Sequence, residues 1–408
     1  MNKLSEQASV NLSLCHGAVL PSSVFSTNLP KMLERAAEYS TGIVLIKGNQ
    51  STNFLAYSDL LATAERVLAG LRRRNLQPQD RVILQLQDPR HFFVCLWGCF
   101  LGGFVPIPLG IKLNGDRRIE QAWELCSPSV VIADKDIADL ATLQVEDLLG
   151  NNRDRHWHQG NLDDLALLLL TSGSTGKPKG VMLSARNLIA SVYGMATVNQ
   201  LSQQDITLNW MPLEHVASLV MFHLTEVYLG CQQIQVKSEF ILQNTLQWLD
   251  LIHQYRVSAT WSPNFAYNLV NQQLERNLDQ TVRHNWDLSC LRWMGNGAEA
   301  VVGKTMGQFL KLLAPYGLSP TVVSPGYGMS ETTSGIAHWR AIDQSPLQDF
   351  YLNLNRESVS VGAPIPGVSL RIVDEGNQVI PEGEVGLLQV KGETITAGYY
   401  QQSELNQE

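Results

Sequence analysis

Ten consecutive residues, Thr171-Ser172-Gly173-Ser174-Thr175-Gly176-Lys177-Pro178-Lys179-Gly180, hold three glycines, four hydroxyls and two lysines directly after the apolar run 165–170. A strand that empties into such a segment makes a loop suited to polyphosphate. Glycines let backbone N–H groups approach the oxygens, hydroxyls donate further hydrogen bonds, and lysines offset the charge. The run does not fit G-x-x-x-x-G-K-[ST], and Pro178 blocks immediate continuation as a helix. Segments rich in Gly and Ser are ordinarily plain surface turns. The buried-looking strand ahead of this one favours the nucleotide reading. Far downstream, Tyr327-Gly328-Met329-Ser330-Glu331-Thr332-Thr333 places an acidic residue just after a tight glycine turn.

The first segment resembles the signature loop of adenylate-forming enzymes: acyl-CoA synthetases, luciferases and the adenylation domains of nonribosomal peptide synthetases. The second resembles that superfamily's second nucleotide motif. Gly362-Ala363-Pro364-Ile365-Pro366-Gly367, Gly383-Glu384-Val385-Gly386 and Gly398-Tyr399-Tyr400 resemble a third region, and all occur in the expected order. The resemblance implies two stacked α/β subdomains with mainly parallel sheets plus a small β-rich, barrel-like subdomain, the acetyl-CoA synthetase-like core. It implies ATP and Mg2+ as cofactors, and a carboxylate that attacks the α-phosphorus and expels pyrophosphate. Two anions must meet, so charge neutralisation and fixed geometry are the main demands.

The same resemblance distributes roles. Glu331 is the expected Mg2+ ligand, although a lone glutamate is ordinarily a solvated surface group. Thr171, Ser172, Gly173, Ser174, Thr175, Gly176 and Lys177 form the expected phosphate cradle. Lys177 and Lys179 steer that loop over the phosphates, and Thr332 contacts them from the other side. Lys179, Thr332 and His215 are the residues expected to carry catalysis. Gly297-Ala298-Glu299 is expected along one side of adenine, with Tyr327 stacked on the other and Gly328, Met329 and Ser330 completing the nucleotide turn.

The stretch from Trp210 to Val220 resembles the lining of the family's acyl pocket. Amino-acid-activating members carry an aspartate at the place of Val216, where it pairs with the substrate ammonium. A buried ammonium without a counter-charge is costly. The expected substrate is therefore a carboxylic acid without a free α-amine: fatty, aryl, α-keto or α-hydroxy. Val216, Ala217, Val220, Thr260 and Met294 are expected on the acyl wall, with Asn296, Gly326, Ser334 and Gly335. His215 is expected to gate the pocket or orient the carboxylate; a core histidine bonded to backbone is the plain alternative. Trp261-Ser262-Pro263-Asn264-Phe265-Ala266-Tyr267 and the run from Asp287 to Trp293 resemble fatty acyl-AMP ligases, which load carrier proteins. Loading domains of hybrid polyketide and peptide synthetases share this trait. Val216-Ala217-Ser218 departs from the Asp-Met-Gly that many of those ligases carry. The expected acceptor is the phosphopantetheine of an acyl or peptidyl carrier protein, with coenzyme A as the alternative. A module that grips nucleotide or acid without turnover is the reading from another class.

Periodicity supplies the elements that must hold these residues. Helices are expected at 29–39, 59–74, 91–101, 117–125, 185–196, 216–229 and 246–255. Strands are expected at 42–47, 54–57, 80–86, 105–109, 129–133, 165–170, 206–210 and 259–261. Such alternation implies parallel sheets covered by helices. Residues 1–26 read as a loose lead-in. The rest divides into a first α/β part at about 55–200, a second at about 27–54 plus 201–336, and a β-rich part at about 337–408. Family members continue through a ribose-binding Thr-Gly-Asp motif into a mobile C-terminal domain. The expectation is that this chain corresponds to the large N-terminal core.

Bulk properties agree with a globular enzyme. The 408 residues are 44% hydrophobic and 17% charged, with a net charge of −8, which argues against nucleic-acid or anionic-membrane partners. The six cysteines lack metal spacing and read as buried free thiols. With no signal-peptide pattern or membrane-length apolar run, the expected location is the cytoplasm.

Overall fold

The computed structural model describes residues 11–48, 52–111, 118–137, 140, 142–172, 178–277, 284–340 and 359–407. In its larger sheet, six parallel strands lie in the order Val323–Met329, Trp293–Asn296, Ala259–Ser262, Ile206–Asn209, Gln232–Val236 and Gly42–Ile46. Ser334–His338 and Ala363–Pro364 continue one edge antiparallel, and Thr52–Ala56 closes the other. The second sheet is parallel throughout, in the order Val105–Pro108, Arg81–Gln85, Val130–Ala133 and Thr142–Leu143. Each parallel return needs a crossover, which is why strands alternate with helices along this sequence.

Local chemistry sets the helix limits. Tyr57–Arg73 buries Leu60, Ala64, Val67, Leu68 and Leu71 on one face. Pro89–Gly102 starts where the Asp88 side chain accepts from the Arg90 N–H, with proline in the first turn. A single hydrophobic cluster joins these two helices to strands of both sheets, so the sheets share one core.

Three features differ from the sequence expectations. Residues 178–184 form a strand, Pro178–Ser184, antiparallel to Leu165–Ser172. The supposed lead-in contributes Leu14–His16 to a three-stranded sheet with Val368–Val373 and Leu387–Gly392. The expected helix at 216–229 is a π-helix, Ala217–Leu224, running into the α-helix Thr225–Leu229. Cys95, Cys99, Cys126 and Cys231 are buried free thiols, whereas Cys15 is exposed. Among the described residues, no helix is long and apolar enough to cross a membrane.

Candidate active site

A cleft of about 500 Å³ is lined by residues of three adjacent parallel strands, Ala259–Ser262, Trp293–Asn296 and Val323–Met329, most of them toward or beyond the carboxyl ends, where open α/β sheets take ligands. Thr171 and Lys179, cross-strand partners in the hairpin, reach it from one side. Tyr327, Gly328, Met329, Ser330 and Glu331 reach it from the sheet. Two segments far apart in sequence thus face one space. Gly173, Ser174, Thr175, Gly176 and Lys177, expected to cradle phosphate, lie outside the described residues, and the backbone of Ser172 pairs with Pro178.

Segment 396–400 fixes the hairpin against the acidic turn. The Tyr400 N–H donates to the Gly180 carbonyl at 2.7 Å, the Met182 N–H to that of Gly398 at 3.1 Å, and the Thr396 N–H to that of Glu331 at 2.9 Å. The Tyr399 hydroxyl donates to Glu331 Oε1 at 2.9 Å, and Lys179 Nζ sits 4.9 Å from the centre of its ring. Burial, and then the Glu331 carboxylate, push the Tyr399 phenol up to about 12, so it stays a donor at neutral pH. The Gly398-Tyr399-Tyr400 motif was visible in the sequence, but nothing there gave Tyr399 this contact.

Two nucleotide-site expectations need correction. Glu299 is turned away: its Oε1 accepts from the Phe265 N–H at 2.6 Å, at the start of helix Asn264–Asn277. Gly297 and Ala298 do line the cleft, with Ala298 at the left-handed φ of 64°. Thr332 is only 1% exposed. Its hydroxyl accepts from the Met329 N–H at 3.0 Å and donates to the Ser334 carbonyl at 2.8 Å. The 3₁₀ turn Ser330–Thr332 curls this side chain inward, so it clamps the turn and does not face the cleft.

Val216, Ala217, Gly326, Ser334 and Gly335 also line the cleft, and Asn296 reaches it at the end of its strand. Thr260 and Met294 do not. They are paired neighbours on the opposite face of the sheet, where Thr260 Oγ1 donates to the Leu208 carbonyl at 2.9 Å and accepts from Trp248 Nε1 at 3.1 Å. The expectation was one residue out of register, which in a strand exchanges the two faces. Trp261, Trp293 and Gly295 stand on the cleft side instead. A Cβ on Gly295 would meet the Trp293 indole at 2.8 Å, so glycine lets that ring lie across the wall. Val220 is likewise displaced: it packs in the main core and Met221 takes the place in the lining.

The model of the AMP-binding enzyme family matches residues 33–400. The chain belongs to that family. It is 31% identical over 403 residues to the nonribosomal peptide synthetase apvA of Aspergillus terreus (strain NIH 2624 / FGSC A1156), covering 93% of this chain and 43% of the relative. The chain thus spans less than half the length of that relative. Among solved structures, the adenylation domain of a keto acid-selecting NRPS module bound to keto acyl adenylate overlays with a TM-score of 0.88 at 33% identity, covering 97% of this chain and 80% of that one. McyG A-PCP complexed with phenylalanyl-adenylate overlays at 0.89 with 34% identity, covering 97% and 64%.

In this AMP-binding enzyme, His215 opens to the cleft and stacks on Trp261 with ring centres 5.9 Å apart. Its Nδ1 accepts from the Ala217 N–H at 3.2 Å, so the neutral ring carries its proton on Nε2. Surrounding protein disfavours the imidazolium and lowers its pKa. The neutral ring is thus held by backbone on one edge and has an N–H to offer on the other. One end of the cleft gathers a lysine, a carboxylate and a threonine, and the rest of the lining mixes Val216, Met221, Trp261 and Trp293 with the neutral polar side chains of Ser334 and His338.

Proposed function

We propose that the chain activates a carboxylic acid lacking a free α-amine as its acyl-adenylate, with release of pyrophosphate from ATP, for loading onto a carrier-protein phosphopantetheine. The observation that carries this reading is the polarity of the single cleft. Thr171, Lys179 and Glu331 stand at one end, and among the described lining residues Glu331 is the only carboxylate. The acyl end offers Val216, Met221 and two tryptophans, and among the described lining residues no second carboxylate to pair with a buried ammonium. The keto acyl adenylate in one structural neighbour and the PCP in another's name support the acid class and the acceptor.

In this reading Lys179 offsets phosphate charge while Tyr399 holds its approach. His215 donates from Nε2 toward the substrate carboxylate, and the sheet ends fix the angle between acid and α-phosphorus. Glu331 fits Mg2+: Oε1 is engaged by Tyr399, leaving Oε2, and Mg2+ takes most of its ligands from phosphate and water. No cluster of three or more His, Cys, Asp or Glu occurs among the described residues, which suits a metal delivered with its nucleotide. When bound, the ion supplies charge neutralisation at the phosphates.

The test is ATP–pyrophosphate exchange by the 408-residue chain across matched acids. Exchange that depends on acid and favours an α-keto or aryl acid over the corresponding amino acid is expected. Preference for the amino acid would contradict the reading.

A further inference from the structure

The far end of the acyl cleft holds polar atoms that no protein group satisfies. Both ring nitrogens of His338 are buried without a partner, as are Trp293 Nε1 and Ser334 Oγ. All three residues line the cleft, and they are 6%, 2% and 2% exposed. Buried polar groups are paired in the great majority of cases, so four orphaned atoms lining one cleft call for an explanation.

Geometry points the same way. The nitrogen edge of His338 faces the two lining glycines: a Cβ on Gly335 would meet Nε2 at 2.5 Å, and one on Gly326 would meet Nδ1 at 3.0 Å. Backbone without side chains is what leaves that edge within reach of the cleft. Ser334 holds φ at 117°, a region where side chains are strained, and such strain collects at ligand sites. The Trp293 and His338 ring centres lie 6.3 Å apart. His338 pairs with Gly326, about 10 Å along the strand from Met329 and the acidic turn. An acid with its carboxylate at the phosphate end would set its tail here, between the Trp261 and Trp293 walls.

We propose that His338, Trp293 and Ser334 form a hydroxyl-recognition subsite, which selects an aryl acid bearing a hydroxyl at the end of the ring remote from the carboxylate. The proposal rests on the acyl-adenylate reading above. Neutral imidazole has one donor and one acceptor, and indole adds a donor; a hydroxyl both gives and accepts, so it can pair with one imidazole nitrogen while accepting from the indole. Burial holds His338 neutral, with its pKa down at about 4. An alkyl or plain phenyl tail would leave the orphans unpaired. Sites built to bond a substrate hydroxyl reject the analogue that lacks it far more strongly than apolar pockets discriminate size.

The experiment is calorimetric titration of the 408-residue chain with two non-hydrolysable acyl sulfamate adenylates, 3-(4-hydroxyphenyl)propanoyl and 3-phenylpropanoyl. The hydroxylated analogue is expected to bind roughly ten- to a hundredfold tighter. His338→Phe should narrow the gap to about twofold, and Ser334→Ala should reduce it in the same direction. Equal or tighter binding of the phenyl analogue by the wild-type chain would overturn the subsite, a result that needs no variant to fold. Full discrimination kept by both variants would overturn the assignment to these residues. Failure of both analogues to bind, with ATP still bound, would instead overturn the acyl-adenylate reading beneath the proposal.

Discussion

Tyr399 does two things with one ring: its face holds Lys179 and its hydroxyl holds Glu331. If Glu331 binds Mg2+, Glu331→Gln should raise the Mg2+ concentration for half-maximal pyrophosphate exchange by about tenfold or more, because a charged ligand is lost. Tyr399→Phe should shift it the same way by a few-fold, about the effect of one charge-assisted hydrogen bond. Metal titrations that overlay the wild type would contradict both. At the other end, Val216 is 6% exposed, and Val216→Asp would bury an unpaired carboxylate. Exchange with acids lacking an amine should fall at least tenfold, since an unpaired buried carboxylate costs more than the ~1–3 kcal/mol of a neutral polar group; undiminished exchange would place Val216 away from the substrate. Val216 and Ala217 were legible because they sit in a contiguous matched stretch. Thr332 was not, since nothing in Ser-Glu-Thr-Thr reveals that the 3₁₀ turn folds its hydroxyl back onto Met329 and Ser334.

Strand and helix register decide which side chains face the cleft. Residues 259–262 and 293–296 are buried throughout, so no polar alternation marks the cleft face, and a local match can slip by one position unseen. The structure separates the two faces through named partners, and the consequence is measurable. Thr260→Val should cost about 1–3 kcal/mol of stability by orphaning Trp248 Nε1 and the Leu208 carbonyl, while leaving the order of preferred acids unchanged. Trp261→Leu should alter that order. Thermal unfolding together with exchange across an acid panel checks the pair; a change of acid preference in Thr260→Val would restore the original register. The π-helix hid in the same way, because its residues are all buried and a fully apolar run carries no period to read.

Several buried titratable groups give the folded molecule a defined pH range. Burial pushes Glu226 up to about 8 from 4.5 and His223 and His338 down to about 4 from 6.5. Between about 4.5 and 6.5 the unfolded chain would bind protons at both histidines that the native state refuses, and the native state keeps one on Glu226 that the unfolded chain releases. The two histidines outweigh the one glutamate, so stability rises with pH through that window. Between 6.5 and 8 only Glu226 differs, its carboxyl ionising in the unfolded chain first, so stability falls, by at most about 1.4 kcal/mol per pH unit. Unfolding midpoints should peak near pH 6.5, and Glu226→Gln should flatten the alkaline side; a wild-type midpoint that climbs from pH 6.5 to 8 would refute this. The α/β alternation and the order of the motifs were readable from sequence. The edge strand Leu14–His16 was not, because its partner Val368–Val373 lies at the other end of the chain and three exposed residues carry no pattern. The account as a whole depends on one cleft holding nucleotide and acid together, and a crystal structure of the chain with a non-hydrolysable aryl adenylate and Mg2+ tests that most directly. The base is expected beside Gly297 and Ala298, the phosphate mimic between Lys179 and Glu331, and the ring between Trp261 and Trp293. Density for the nucleotide outside the space between the hairpin and the acidic turn would contradict it.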